Sequence, residues 1–91
     1  MALDIYWRNY QTETRLGSVE IDTPLEDLLD AFGRQVGFPV DPYGKARLYP
    51  AQWQRLIDLA SNRGYPVHQL RQIQAAIPAD EPQGLIILAE D

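Results

Sequence analysis

The sequence lacks cysteine and has very little histidine or serine. Among its 91 residues there is one histidine, His68, and there are two serines, Ser18 and Ser61. The absence of cysteine excludes disulfides and thiolate metal sites, and a single histidine cannot form a paired-histidine metal motif. Catalysis needs an activated nucleophile, a tuned acid or base, or a metal, and few such side chains are present. The composition therefore predicts a non-enzymatic protein without a cofactor.

Long apolar runs and glycine-rich phosphate loops are missing too. The longest apolar run covers only residues 85–89, whereas a membrane-spanning helix needs about 20 residues. The N-terminal residues do not have the basic and apolar regions of a signal peptide. Gly33, Gly37 and Gly44 fit neither common nucleotide-binding pattern. We therefore expect a cytoplasmic protein with no membrane segment.

The remaining composition is that of an ordinary globular domain. Apolar residues make up 45% of the chain and charged residues 23%, and the length suits one domain, residues 1–91, with one core. The net charge of −5 is unevenly distributed along the chain. Residues 1–42 carry eight acids and three bases, residues 43–79 one acid and five bases, and residues 80–91 four acids. Such polarity favours association with a charged partner.

Strand patterns occupy the two ends of the chain. Leu3, Ile5 and Trp7 alternate with polar residues, and Val19 and Ile21 alternate in the same way, which predicts an N-terminal β-hairpin. Residues 85–88 form an unbroken apolar run, as expected for a central strand that is covered on both faces. Because a predicted helix leads into this run, a parallel pairing of the run with an earlier strand is also allowed.

Helical periodicity fills the region between these strands. Thr23 is the predicted N-cap of the first helix, which should end at Gly37. A second helix should follow Pro50 and end at Gly64, and Pro66 should open a third. Residues 37–50 contain too much glycine and proline for a helix, and residues 45–49 are at most a short edge strand. We predict an α+β fold of order ββαααβ, with three helices packed on one face of a three-stranded sheet.

Aromatic and basic residues suggest a recognition surface. Tyrosine and arginine are enriched at the hot spots of protein interfaces, and a proline-braced loop loses little entropy on binding. Our leading hypothesis is a protein-binding domain, such as an inhibitor, an immunity-type protein or an adaptor. The predicted partner-binding residues are Tyr6, Arg8, Tyr10, Tyr43, Lys45, Arg47 and Tyr49. The sheet edges also allow a homodimer.

One alternative is a nucleic-acid-binding helix-turn-helix in residues 53–77. Ala60, Gly64 and Leu70 have the spacing that lets two helices cross closely. The second helix would then present polar side chains to the major groove, namely His68, Gln69, Arg71, Gln72 and Gln74. Only three arginines lie on these helices, whereas nucleic-acid-binding domains usually have a clear basic face, so this alternative is not favoured.

A second alternative is a small-ligand or enzymatic site built from carboxylates. Five acids lie within eleven residues of the chain: Glu20, Asp22, Glu26, Asp27 and Asp30. Paired carboxylates can perform acid–base chemistry or bind a hard cation. The helical and strand patterns, however, place these acids away from the apolar faces, so a solvated acidic surface is the simpler interpretation.

A short segment resembles a known family of inhibitors. Gly37-Phe38-Pro39, followed by Tyr43-Gly44 in a small acidic chain that ends in an apolar strand, is similar to barstar-type ribonuclease inhibitors. The resemblance implies a non-catalytic inhibitor that binds another protein. The chain differs from that family in its additional N-terminal hairpin and in lacking acids directly after Gly44, so we do not assign it to the family.

Overall fold

The fold consists of a four-stranded sheet and three helices. A computed structural model describes residues 1–10, 12–79 and 83–90. Its elements follow the order ββαβααβ: β1 (Ala2–Asn9), β2 (Thr12–Glu20), α1 (Thr23–Val36), β3 (Lys45–Leu48), α2 (Pro50–Asn62), α3 (His68–Ala75) and β4 (Leu85–Glu90). The predicted α+β class and the three helices are confirmed, whereas the three-stranded sheet and the order ββαααβ are wrong.

The additional strand is β3, at one edge of the sheet. The strands are arranged β2-β1-β4-β3, and every neighbouring pair is antiparallel. β3 has only four residues between Gly44 and Pro50, too few for a clear alternating pattern. Its backbone is ordered by pairing with β4, in which Lys45 lies opposite Ala89 and Leu48 opposite Ile86. A contact this distant along the chain leaves no local signal in the sequence.

β4 lies inside the sheet, between β1 and β3, and is antiparallel to both. The parallel pairing that the sequence allowed is therefore wrong. The reason is that α2 and α3 run out and back between β3 and β4, so β4 starts at the end of the sheet where β3 stops. The buried run Ile86, Ile87 and Leu88 agrees with an interior position.

Capping residues and glycines set the ends of the helices, and two of the predicted helix starts need correction. The N-cap of α1 is Asp22 rather than Thr23: the Asp22 carboxylate accepts a hydrogen bond from the Leu25 N–H at 2.9 Å. Gly37 ends α1 with a left-handed φ of 88°, and Gly64, with φ 78°, follows α2. α3 begins at His68 rather than at Pro66. No helix in the described part of the chain is long and apolar enough to cross a membrane.

The core lies between the helices and one face of the sheet. Strand residues of this inner face, including Leu3, Ile5 and Trp7, pack in one cluster with the buried residues of all three helices. Trp53 on α2 connects two of the helices, because its indole Nε1 donates a buried hydrogen bond to the Leu70 carbonyl of α3 at 3.0 Å. The other face of the sheet consequently points away from the helices.

Candidate functional site

The face of the sheet that points away from the helices is the candidate site. Side chains alternate across a strand, so the residues between Leu3, Ile5 and Trp7 and their partners in register belong to this face. We call it the open sheet face. It comprises Ala2, Asp4, Tyr6 and Arg8 of β1, Glu13, Arg15, Ser18 and Glu20 of β2, Lys45 and Arg47 of β3, and Leu85, Ile87 and Ala89 of β4.

The middle of the open sheet face is apolar, and its surroundings are aromatic and basic. One row across the strands runs Arg15, Tyr6, Ile87, Arg47. Ile87 is only 1% exposed although it lies outside the core cluster, because its neighbours on the same face cover it. The surface that a partner can contact is therefore formed by the aromatic and basic side chains around Ile87.

Basic side chains are concentrated on the open sheet face. It carries four of the eight bases of the chain, Arg8, Arg15, Lys45 and Arg47. Two of them are paired: Arg8 binds Glu13 at 2.7 Å, and Arg15 binds the nearly buried carboxylate of Asp4 at 2.9 Å.

The β3 side of this face is different. Lys45 and Arg47 are both exposed, and neither forms an ion pair with a residue that the structure describes. The β2 side of the face is thus largely neutralised, whereas the β3 side keeps two unpaired positive charges.

An apolar groove lies at one end of this face, which we call the end groove. It has a volume of about 470 Å³ and is lined by Arg8, Asn9, Tyr10, Tyr49, Pro50, Gln83, Gly84 and Leu85. Tyr49 continues the alternation of Lys45 and Arg47, because its backbone is still extended, with φ −78° and ψ 157°. Tyr10 and Tyr49 are 85% and 63% exposed, an unusual state for large aromatic side chains.

Tyr10 has a positive φ and one side-chain hydrogen bond, although its ring is exposed. The residue follows β1 with φ 50°, and it is the one non-glycine residue in the described part of the chain with positive φ. This conformation costs a residue other than glycine about 1–2 kcal/mol. The Tyr10 hydroxyl donates a hydrogen bond to Gln83 Oε1 at 3.1 Å, which connects the hairpin to the segment before β4. Tyr10 directly follows the last residue pair of the hairpin, Asn9 with Thr12, where tight turns favour positive φ.

Tyr43, by contrast, lies away from the other predicted partner-binding residues. Its hydroxyl donates a hydrogen bond to Glu26 Oε1 of α1 at 2.5 Å, and its backbone N–H donates to the Asp41 carboxylate. The hydrogen bond with Glu26 is the main cause of a raised pKa for the Tyr43 phenol, since the neutral form is the donor. The structure thus gives Tyr43 a role in holding the loop after α1.

Six of the seven predicted partner-binding residues lie on the open sheet face or in the end groove. Tyr6, Arg8, Lys45 and Arg47 belong to the face itself, and Tyr10 and Tyr49 line the groove together with Arg8. Sequence reasoning missed Arg15, Leu85 and Ile87. None of the three carries a local signal. Arg15 lies before the alternating residues that predict the second strand, although β2 begins at Thr12 in the structure. The place of Leu85 and Ile87 depends on the pairing of β4.

The predicted nucleic-acid-binding residues lie on α3, away from this face. His68, Gln69, Arg71 and Gln72 are all exposed there, whereas Gln74 is half-buried and donates a hydrogen bond to Gln54 of α2. α3 is eight residues long, and its Ile73 packs against Gly17 of β2. The helix-turn-helix alternative stays a prediction.

The acidic cluster is dispersed among structural contacts. Asp22 caps α1, Glu26 accepts from Tyr43, Asp30 pairs with Arg34, and Glu20 pairs with the N-terminal amine. A groove of about 550 Å³ along α1 includes Glu26 and Asp30. Among the residues that the structure describes, no group of three acidic or histidine side chains has the arrangement of a metal site. The carboxylate alternative also stays a prediction.

Comparison with protein-family models, curated proteins and solved structures gives no match to this chain. The similarity of residues 37–44 to barstar-type inhibitors therefore remains a local resemblance.

Proposed function

We propose that the protein is a non-catalytic protein-interaction domain, an inhibitor, immunity-type protein or adaptor, that binds its partner with the open sheet face. The observation that carries this proposal is the gathering of Tyr6, Arg8, Arg47 and Tyr49 from distant parts of the chain at a surface that the core does not use. Tyrosine and arginine are the residue types that contribute most binding energy at protein interfaces.

The rigidity of the sheet supports the same function. The central part of the face belongs to β1 and β4, which lie inside the sheet and are paired on both sides. Side chains on paired strands lose less conformational entropy on binding than those on loops, because the backbone beneath them is already ordered. Ile87 is already covered by its neighbours, so the contact surface is formed by the tyrosine and arginine side chains of the face.

A comparison of two exposed arginines tests the proposal. Tagged wild-type protein, Arg47→Glu and Arg71→Glu would each be used to capture partners from an extract of the source cells, with quantitative mass spectrometry. Arg47 lies on the open sheet face and Arg71 on α3, so the two variants change charge equally on opposite sides of the molecule. We expect a near-stoichiometric partner with wild type and with Arg71→Glu, and its loss with Arg47→Glu.

Circular dichroism of both variants provides the folding control. Loss of the partner with Arg71→Glu alone would locate binding on α3, and sensitivity of that binding to nuclease would support the helix-turn-helix alternative. A partner that both variants retain fully would contradict binding by the open sheet face.

A further inference from the structure

We propose that the end groove receives one large apolar side chain of the partner, and that acidic side chains on the same partner segment bind Arg47 and Lys45. This inference rests on the protein-interaction function proposed above and adds the chemistry of the partner. The occupant is an extended, acidic protein segment with a single aromatic or large aliphatic anchor.

The lining of the end groove suits an apolar anchor. Tyr10 and Tyr49 both present exposed rings, while Pro50, Gly84 and Leu85 add apolar surface between them. A groove with two aromatic walls binds an aromatic or aliphatic side chain by burial and by additional contacts between rings. Its volume of about 470 Å³ has room for one large side chain.

The floor of the groove is packed, and each tyrosine beside it makes one hydrogen bond. The Tyr10 hydroxyl donates to Gln83 Oε1, and the backbone N–H of Tyr49 donates to Gln52 Oε1 at 2.8 Å. On the floor, Gly84 lies directly against the buried indole of Trp7: a Cβ at this position would be 2.3 Å from Trp7 Cζ2. A groove that is already formed avoids the ordering cost of an induced site.

The charges beside the groove identify the flanking residues of the partner. Tyr49, Arg47 and Lys45 point to the same side of one extended segment, so the two cations lie about 7 and 13 Å along the chain from Tyr49. A partner segment in extended conformation presents alternate side chains at the same spacing. Carboxylates two and four residues from the anchor therefore match Arg47 and Lys45, which have no acidic partner among the described residues.

A single-stranded nucleic acid is the less favoured occupant. Exposed tyrosines can stack on bases, but proteins that bind the backbone usually present a positively charged groove. Here two cations without an acidic partner in the described part of the chain flank the groove, and the chain as a whole carries a charge of −5. A partner with a few carboxylates fits this modest positive charge better than a polyphosphate backbone does.

Synthetic peptides test the proposal directly. The probe is a nonapeptide with a central tryptophan, glutamates two and four residues away on both sides, and serine elsewhere. Two control peptides replace the tryptophan by alanine or all glutamates by lysine. Each is titrated into the ¹⁵N-labelled protein and followed by amide chemical shifts. We expect saturable shifts at Arg8, Tyr10, Arg47 and Leu85, binding at least about tenfold weaker for the alanine peptide, and no saturation for the lysine peptide.

Variants of the protein complete the test. Tyr49→Ala should weaken the tryptophan peptide about tenfold or more, and Arg47→Gln about two- to fivefold, whereas Arg71→Gln on α3 should change nothing. Equal binding of the alanine peptide, shifts confined to α2 and α3, or no binding at all would each overturn the proposal. Tighter binding of a decamer of uridylate than of the peptide would assign the groove to nucleic acid and overturn it as well.

The natural partner separates this inference from the function on which it rests. If capture of the partner is lost with Arg47→Glu but unchanged with Tyr49→Ala and Tyr10→Asn, the open sheet face binds protein and the anchor proposal is wrong. If Arg47→Glu retains the partner, both proposals are wrong.

Discussion

Tyr10 shows at the scale of one residue how stability and binding can oppose each other. Its φ of 50° suits asparagine or glycine, yet the position holds a tyrosine with an exposed ring. We expect Tyr10→Asn to leave the free energy of unfolding unchanged or to raise it by about 0.5–1 kcal/mol, because asparagine adopts this conformation more easily. Urea unfolding measures this. A lower free energy of unfolding for Tyr10→Asn than for wild type would contradict a strained conformation at this position.

Gly84 is the residue on which the floor of the end groove depends. Because a Cβ would clash with the buried Trp7 ring, we expect Gly84→Ala to destabilise the fold by about 1–3 kcal/mol. Gly44→Ala is the matched control, since its nearest new contact is Asp41 Cβ at an ordinary 3.6 Å. Urea unfolding of both variants checks the difference, and equal stability of the two would show that Trp7 can move aside.

At the scale of secondary structure, α1 shows how close local prediction comes to the correct contact. Thr23 and Asp22 are both good N-cap residues, and the structure gives the capping bond to Asp22. We expect Asp22→Ala to lower the free energy of unfolding by about 1 kcal/mol, and Thr23→Ala to lower it by clearly less. Urea unfolding of the two variants compares the residues directly, and the reverse order would support Thr23 as the cap.

The hydrogen bond between Tyr43 and Glu26, which joins the loop before β3 to α1, predicts that the stability of the fold depends on pH. The hydrogen bond to Glu26 raises the pKa of Tyr43, and burial raises the pKa of Tyr65. Both groups bind their proton more tightly in the folded state. Their contribution to stability is therefore fully present below the unfolded pKa of about 10 and is lost as the pH rises through the folded values.

Absorbance of tyrosinate as a function of pH measures this effect. The folded protein should ionise over a range that extends to higher pH than the range of the chain in urea, and Tyr43→Phe should remove part of that extension. Coincident curves for the folded and unfolded chains would contradict the contact with Glu26.

At the scale of the whole molecule, charge is sorted between β3 and α1 rather than between the two sides of the sheet. The open sheet face carries four basic and three acidic side chains, and the other four bases lie on the helix side with Asp58 and with the acids of α1 and its cap, Asp22, Glu26, Asp27 and Asp30. This sorting gives an acidic protein a local positive surface near β3. An acidic partner would be drawn to that surface and turned away from α1.

Salt dependence of association tests this sorting. Raising the ionic strength from about 0.1 to 1 M shortens the Debye length from about 10 to 3 Å, so we expect the association rate with the tryptophan peptide to fall. The double variant Lys45→Gln/Arg47→Gln should flatten this dependence, whereas Arg55→Gln/Arg71→Gln should keep it. Stopped-flow measurements compare the three proteins, and an equal salt response in all would contradict steering by β3.

Local patterns were sufficient for the parts of the fold whose signals lie within a few residues. The alternation of Leu3, Ile5 and Trp7 predicted β1, and Gly37 and Gly64 predicted two helix ends. The sequence does not distinguish a strand from a loop at β3, because four residues between glycine and proline fit either structure. Pro66 predicts the start of α3, but the helix begins two residues later.

The residues of the candidate site also fall into two groups, those that the sequence predicts and those that it does not. Sequence reasoning selected the tyrosines and the basic residues by type, which local composition shows. It could not separate Tyr43, which is bonded to α1, from Tyr49, which faces the end groove. Sequence reasoning also did not identify Ile87. The side of the sheet that an apolar residue faces depends on the pairing of its strand with distant strands.

Local patterns in the sequence are enough to predict the α+β class, three amphipathic helices, the N-terminal hairpin and the apolar final strand, because periodicity and capping depend on residues that are close together in the chain. Contacts between distant residues, by contrast, place β4 between β1 and β3 and all three helices on one side of the sheet. These contacts also determine which side chains share the open sheet face. That outcome follows from the burial of one common core, in which residues far apart along the chain are paired by strand register.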